Sequence, residues 1–189
     1  MYALTNDPYC YPNTNILINR AGIRNQEELD QFEVAMSVNR FSESLPSGRF
    51  SLSHYCAIHH HLFQDVYPWA GKIRRIRIAK SGSMFCYPEN IKPELTKVFH
   101  SLRMCNQLQG LEQIKFVEAI THIVAELNAI HAFRDGNGRV QLAFLALLSF
   151  KAGHPVNLEK LNPKVFLEGM IESFKGNEQL LATQIKNIL

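Results

Sequence analysis

Between Ile130 and Arg139 the chain reads Ile-His-Ala-Phe-Arg-Asp-Gly-Asn-Gly-Arg, an unusual density of groups able to do chemistry. Gly136 and Gly138 flank Asn137 where an apolar helical stretch begins. Main-chain N–H groups and the positive end of a helix dipole can therefore face a bound anion there, with no Cβ in the way. Arg139, in the first turn of that helix, adds a fork of donors suited to phosphate oxygens. Asp135 offers a hard oxygen, and one carboxylate together with substrate phosphates is the usual way Mg2+ is held. His131 carries an imidazole that can take a proton from an incoming hydroxyl near neutral pH. Phe133 is expected to be a buried anchor that fixes the loop. Singly, a Gly-x-Gly at a helix start is a tight turn and a histidine near a helix end is a cap. The conjunction describes a site for a Mg2+-bound polyphosphate with a general base beside it.

The elements that must position this loop are helical. Asn25 with Glu28 three positions on is a capping box for a helix carrying Leu29, Phe32 and Met36, which ends before Pro46. A second helix starts near Ser51 or Ser53 and ends around Asp65. The spacing then predicts helices from about Pro93 to Gln107 and from about Leu111 to Asn128. The latter turns Ile114, Val117, Ile120, Val124 and Leu127 inward. Further helices are expected from about Asn137 to Lys151, from Asn162-Pro163 to about Lys175, and from Glu178 to Ile188. Only between Trp69 and Tyr87 does the period change to two. Arg75-Ile76-Arg77-Ile78 alternates, Ser81-Gly82-Ser83 is a turn, and Met84 to Tyr87 is a second strand-like run. The fold class is all-α with one inserted β-hairpin, and Trp69 is expected to pack under that hairpin.

The 189 residues, 46% hydrophobic and 20% charged, are of a size to build one core without staples. No repeat or linker-like tract divides them, so residues 1–189 are read as a single domain with an N-terminal arm over 1–24. The mean hydropathy of −0.13 argues against disorder, and the longest strongly apolar run, Leu142 to Phe150, is about half of the roughly 20 residues a bilayer span requires. Met1 to Tyr11 lacks the basic start and apolar stretch of a secretory signal, and synthesis is expected to end in a cytosol. Four scattered cysteines without a CxxC fit reduced thiols. A net charge of +3 does not by itself call for nucleic acid, and none is expected as a partner. The one basic cluster is Lys72, Arg74, Arg75, Arg77 and Lys80. His59-His60-His61 cannot close on one ion, because consecutive helical residues point about 100° apart. Arg49 and His54 make only a weak Arg-x4-His pattern of the kind seen in some ribonuclease toxins.

The stretch from His131 to Arg139 resembles the signature of Fic (filamentation induced by cAMP) domain proteins, His-x-Phe-x-Asp/Glu-Gly-Asn-Gly-Arg-x-x-Arg. Ile58-His59, Leu62-Phe63, Val66-Tyr67 and Trp69 to Arg74 are similar to the family's second characteristic segment, ahead of its hairpin flap. The layout matches over about residues 25 to 175, and it most resembles the subgroup of toxins and host-targeted effectors that includes Bartonella Fic proteins. The resemblance implies a Fic-fold helical bundle with the flap over 72–87 and the catalytic loop over 131–139. It implies a protein adenylyltransferase, an enzyme moving AMP from ATP to a hydroxyl of a target protein. In that reading His131 is the base, Asp135 holds Mg2+, Gly136, Asn137 and Gly138 cradle the phosphates, and Arg139 stabilises the leaving pyrophosphate. An edge strand beside a pocket can also pair with an extended target segment. The expected docking edge is Ile76, Arg77, Ile78, Ala79 and Lys80. By the same resemblance the protein works in a bacterial cytoplasm or after translocation into a host cell.

Two departures from the signature stand out. Ala132 replaces the family's usual proline, and Leu142 replaces its second arginine. That arginine holds the γ-phosphate in the family and pairs with an inhibitory glutamate; its loss removes a charged hydrogen bond worth about 1.5–3 kcal/mol. The inhibitory pattern Ser/Thr-x-x-x-Glu-Gly/Asn is not met in this chain, since Glu89-Asn90 and Glu168-Gly169 are preceded at the fourth position by Phe85 and Lys164. The resemblance therefore assigns any inhibition to a separate small antitoxin. The alternatives left open are a degenerate module that binds nucleotide or a protein partner without transfer, and a different nucleotide donor.

Overall fold

A computed structural model describes residues 7–80 and 83–189. Among them run seven α-helices: α1 (Gln26–Ser42), α2 (Leu52–Phe63), α3 (Pro88–Met104), α4 (Gln113–Ile130), α5 (Asn137–Ala152), α6 (Pro163–Phe174) and α7 (Gln179–Ile188). Between α2 and α3 lie two short antiparallel strands, β1 (Ala79–Lys80) and β2 (Ser83–Met84). The expected turn residues Ser81 and Gly82 lie outside the described residues. No helix described is long and apolar enough to cross a membrane.

Local chemistry sets most boundaries. Asn25 caps α1 by accepting from the Glu28 N–H, Ser51 caps α2 through the His54 N–H, and Asn162 caps α6 with Pro163 at its first position. Helix α3 starts at Pro88 rather than near Pro93, because Pro88 takes the first helical position, where its missing N–H costs nothing. Pro93 is carried inside the helix.

Helix α4 is the central beam. It buries Val117, Ile120, Val124 and Leu127 as its spacing predicts. Ile114, in the first turn, departs from expectation, being 82% exposed. Helix α5 is apolar on nearly every side, with Val140, Ala143, Phe144, Leu145 and Leu148 fully buried. Helices α6 and α7 approach so closely that a Cβ on Gly169 would lie 3.0 Å from the Leu181 backbone.

Trp69 does not lie under the hairpin. It stacks on Tyr67 at 4.3 Å and meets Tyr9 of the N-terminal arm edge-on at 5.6 Å. The hairpin itself is shorter than the alternation suggested. Pairing begins only at Ile78, whose carbonyl accepts from the Phe85 N–H at 3.2 Å, and Arg75 to Arg77 pair with no strand. Their path is set instead by Arg74.

Candidate active site

Arg74 is 1% exposed, which removes it from the basic surface cluster the sequence suggested. Its guanidinium donates to the carbonyls of Ile76 (2.5 Å), Cys86 (2.5 Å), His131 (2.8 Å) and Ile130 (3.3 Å), and its N–H to that of Ala132 (3.0 Å). One side chain thus fastens both legs of the hairpin to the end of α4. Its charge has no carboxylate partner among the described residues, and burial lowers its pKa.

His131 is the residue at which α4 stops, in the left-handed region at φ 49°. That turn throws the imidazole off the helix axis, where Phe85 stacks on it at 3.8 Å and 14°. Nδ1 is buried without a hydrogen-bond partner, which leaves Nε2 as the nitrogen open to the cavity that His131 lines. Burial lowers the imidazole pKa to about 4. The Asn128 carbonyl opposes that shift, without reaching hydrogen-bond geometry, and Arg74 and Lys80 add to it. The ring is therefore neutral at pH 7, the form a base requires. Nearby phosphate charge would raise its pKa toward the working range.

The loop from Ala132 to Gly136 is rigidly built. Phe133 is fully buried and stacks on His59 at 3.8 Å. The Asn137 carboxamide accepts from the Phe133 N–H (2.9 Å) and donates to its carbonyl (2.8 Å), so this side chain shapes the turn and only its main-chain N–H can face an anion. His59 Nδ1 accepts from the Gly71 N–H (2.8 Å), which puts the ring proton on Nε2 for donation to the Asp135 carbonyl (3.0 Å). Burial pushes His59 down to about 3, so it stays neutral and structural. His54 is likewise occupied, by the Phe50 N–H and the Pro46 carbonyl, which removes the Arg49–His54 pattern as a catalytic pair.

The two glycines have different reasons to be there. Gly136 has φ 77°, and a Cβ on it would sit 2.4 Å from the Phe63 ring. A Cβ on Gly138 would meet nothing within 4 Å, so this is where an anion has room. The first helical hydrogen bond of α5 is Val140 N–H to the Gly136 carbonyl, which leaves the N–H groups of Asn137, Gly138 and Arg139 for an outside acceptor. Asp135 accepts from the Gly136 N–H with Oδ1 (2.6 Å), leaving Oδ2 for another cation. No cluster of three or more His, Cys, Asp or Glu exists among the described residues. Asp7, the other carboxylate lining the cavity beside His131, is paired with Arg134, and the Asp135 carboxylate fits Mg2+ held mainly by substrate phosphates.

These residues border one cavity of about 990 Å³. His131, Asp135, Gly136, Asn137, Gly138 and Arg139 line one side and Arg77, Ile78, Ala79 and Lys80 another, with Leu142, Phe166 and Met170 as apolar wall. Ile76 does not line it, and its carbonyl is taken by Arg74. Sequence reasoning missed Arg134, bound to Asp7 of the arm at 2.9 Å, and Glu33 and Ser37 of α1, which hold Arg139.

The Fic/DOC family model matches residues 49–149, which span both α2 and the loop just described. The chain belongs to the Fic/DOC family. The Sinorhizobium fredii protein named "Probable protein adenylyltransferase y4lH" is 46% identical over 189 residues, covering 100% of this chain and 98% of that one. "Protein adenylyltransferase VbhT" of Bartonella schoenbuchensis is 35% identical over 191 residues, covering 100% of this chain but 40% of its own length. Among solved structures, the Bartonella tribocorum effector BepC with bound AMPPNP has a TM-score of 0.88 at 25% identity, covering 98% of this Fic chain and 97% of its own. The helical bundle with an inserted hairpin is thus the Fic fold.

Proposed function

We propose that this Fic protein is an adenylyltransferase that moves AMP from Mg-ATP to a hydroxyl side chain of a target protein. The observation that carries the reading is the neutral imidazole of His131 in one cavity with the free amides at the start of α5. His131 Nε2 takes the proton of the hydroxyl, the freed oxygen attacks the α-phosphorus, and the bond to the bridging oxygen breaks to release pyrophosphate. The amides of Asn137, Gly138 and Arg139 orient the phosphates, and the Arg139 guanidinium stabilises the charge that builds on the leaving group. Mg2+, held by Asp135, supplies further charge neutralisation when bound. The target segment docks along β1. The pairing of Ile78 with Phe85 and of Lys80 with Ser83 turns the main-chain groups of Arg77 and Ala79 outward, and the nearby cations favour an acidic target. Regulation by a separate small antitoxin, and action in a bacterial cytoplasm or after translocation, belong to the same proposal.

Incubation with Mg2+ and either α- or γ-labelled ATP tests it. Only the α-label should reach protein, and His131→Ala should abolish transfer. Label surviving in that variant removes His131 as the base, and label from the γ-position alone makes the protein a kinase. Leu142, on the cavity wall where the signature has arginine, favours a second reading: nucleotide binding without efficient transfer, or use of another donor. Under it, wild type transfers little from ATP and Leu142→Arg gains activity.

A further inference from the structure

Arg139 does not hang free at the cavity wall. Its Nη2 donates to Glu33 Oε1, its Nη1 to the Ser37 hydroxyl (2.8 Å), and its guanidinium lies over the Phe63 ring at 4.7 Å. Glu33 Oε2 accepts from the Tyr67 hydroxyl. Burial and the adjacent carboxylate hold that phenol far above its ordinary pKa, so it remains a donor. Glu33 and Ser37 stand one helical turn apart on the same face of α1. Tyr67, Ser37 and Phe63 are 1%, 2% and 0% exposed, and the Glu33 side chain is 12% exposed against 35% for Arg139. The network is therefore sealed behind the guanidinium and open in front of it.

We propose that Glu33 is the positioning residue for Arg139, which makes α1 part of the phosphate clamp. The inference rests on the nucleotide reading above. Glu33 Oε2 is occupied from behind by the Tyr67 hydroxyl and Oε1 by Arg139 itself, so each carboxylate oxygen already has a donor when an anion arrives. Of the five guanidinium N–H groups, two are bound to Glu33 and Ser37, and the remaining three are held in a fixed plane beside the free amides of α5. A clamp fixed before the ligand arrives loses little side-chain freedom on binding. Glu33 lies outside residues 49–149, the segment that the family model matches.

Glu33→Gln keeps the side-chain length, and its amide oxygen can still accept from Tyr67, but it offers the guanidinium no anion. Three measurements compare it with wild type: the melting temperature, the rotation of the Arg139 guanidinium by nitrogen NMR without nucleotide, and the Kd for Mg-AMPPNP by calorimetry. The expected result is a melting temperature close to wild type, a guanidinium that rotates faster, and a Kd weakened about tenfold, the scale typical of lost positioning partners. Tyr67→Phe removes one donor and no charge, and should weaken Kd by a smaller factor; it carries the test if the Gln variant does not fold. An unchanged or tightened Kd in variants whose guanidinium has been freed overturns the positioning role alone. Wild type failing to bind Mg-AMPPNP overturns the nucleotide reading and this inference with it.

Discussion

Replacing Arg74 by methionine tests whether the hairpin and the catalytic loop are one mechanical unit. The variant removes the donors of four carbonyl bonds while keeping most of the apolar stem. The carbonyls of Ile76, Cys86 and His131 belong to half-buried residues that water can reach, whereas Ile130 is 3% exposed. One acceptor left dry at about 1–3 kcal/mol, with three part-buried bonds lost at about 0.5–1.5 kcal/mol each, gives a gross cost of about 2.5–7.5 kcal/mol. Relief from burying an unpaired guanidinium offsets part of it, so the net loss is about 3 kcal/mol. In a chain of this length that corresponds to about 6–12 °C in Tm. Arg74→Lys keeps the charge but cannot span both hairpin legs and the loop, and should lose about half as much. Thermal unfolding gives the Tm, and amide exchange should show the hairpin and residues 130–132 losing protection together. A methionine variant melting within a degree of wild type, with hairpin exchange unchanged, would refute the reasoning.

The neutral His131 gives a pH signature: kcat/KM should keep its activity well below the ordinary imidazole value of 6.5 and fall only as pH drops through about 4, read from label transfer across buffers. Stability carries the matching sign. With the folded pKa below the unfolded one, the unfolded chain holds the extra proton between about 6.5 and 4, so stability falls on acidification through that window. The Tm difference between wild type and His131→Ala should shift accordingly, and a constant difference contradicts the burial argument. Gly136→Ala should unfold the loop by collision with Phe63 at positive φ and cost several °C in Tm, while Gly138→Ala should leave Tm unchanged and weaken Mg-AMPPNP binding in calorimetry. Equal behaviour of the two variants would remove the anion site from Gly138.

The fold was legible where one element carries its own instructions. Asn25, Ser51 and Asn162 announce helix starts by local hydrogen bonding, and the apolar period of residues 117–127 states which face of α4 is buried. The loop at 131–139 was legible because its chemistry is contiguous. Contacts between distant segments were not. Arg139 meets Glu33 across 106 positions, and nothing in a helix bearing several acidic residues marks that one as buried. Arg74 sits among four exposed cations and takes only carbonyl partners, which every residue possesses and no sequence pattern displays. Trp69 followed the same logic, choosing Tyr9 of the arm over the hairpin.

The Asn137 carboxamide supplies Phe133 with both halves of a peptide-like pairing, so the bend from 133 to 137 is completed as the chain folds. A polyanion arriving at the start of α5 then finds no segment to freeze. The entropic toll of encounter falls on the visitor's own torsions, and the speed of capture is set by access rather than by reorganisation.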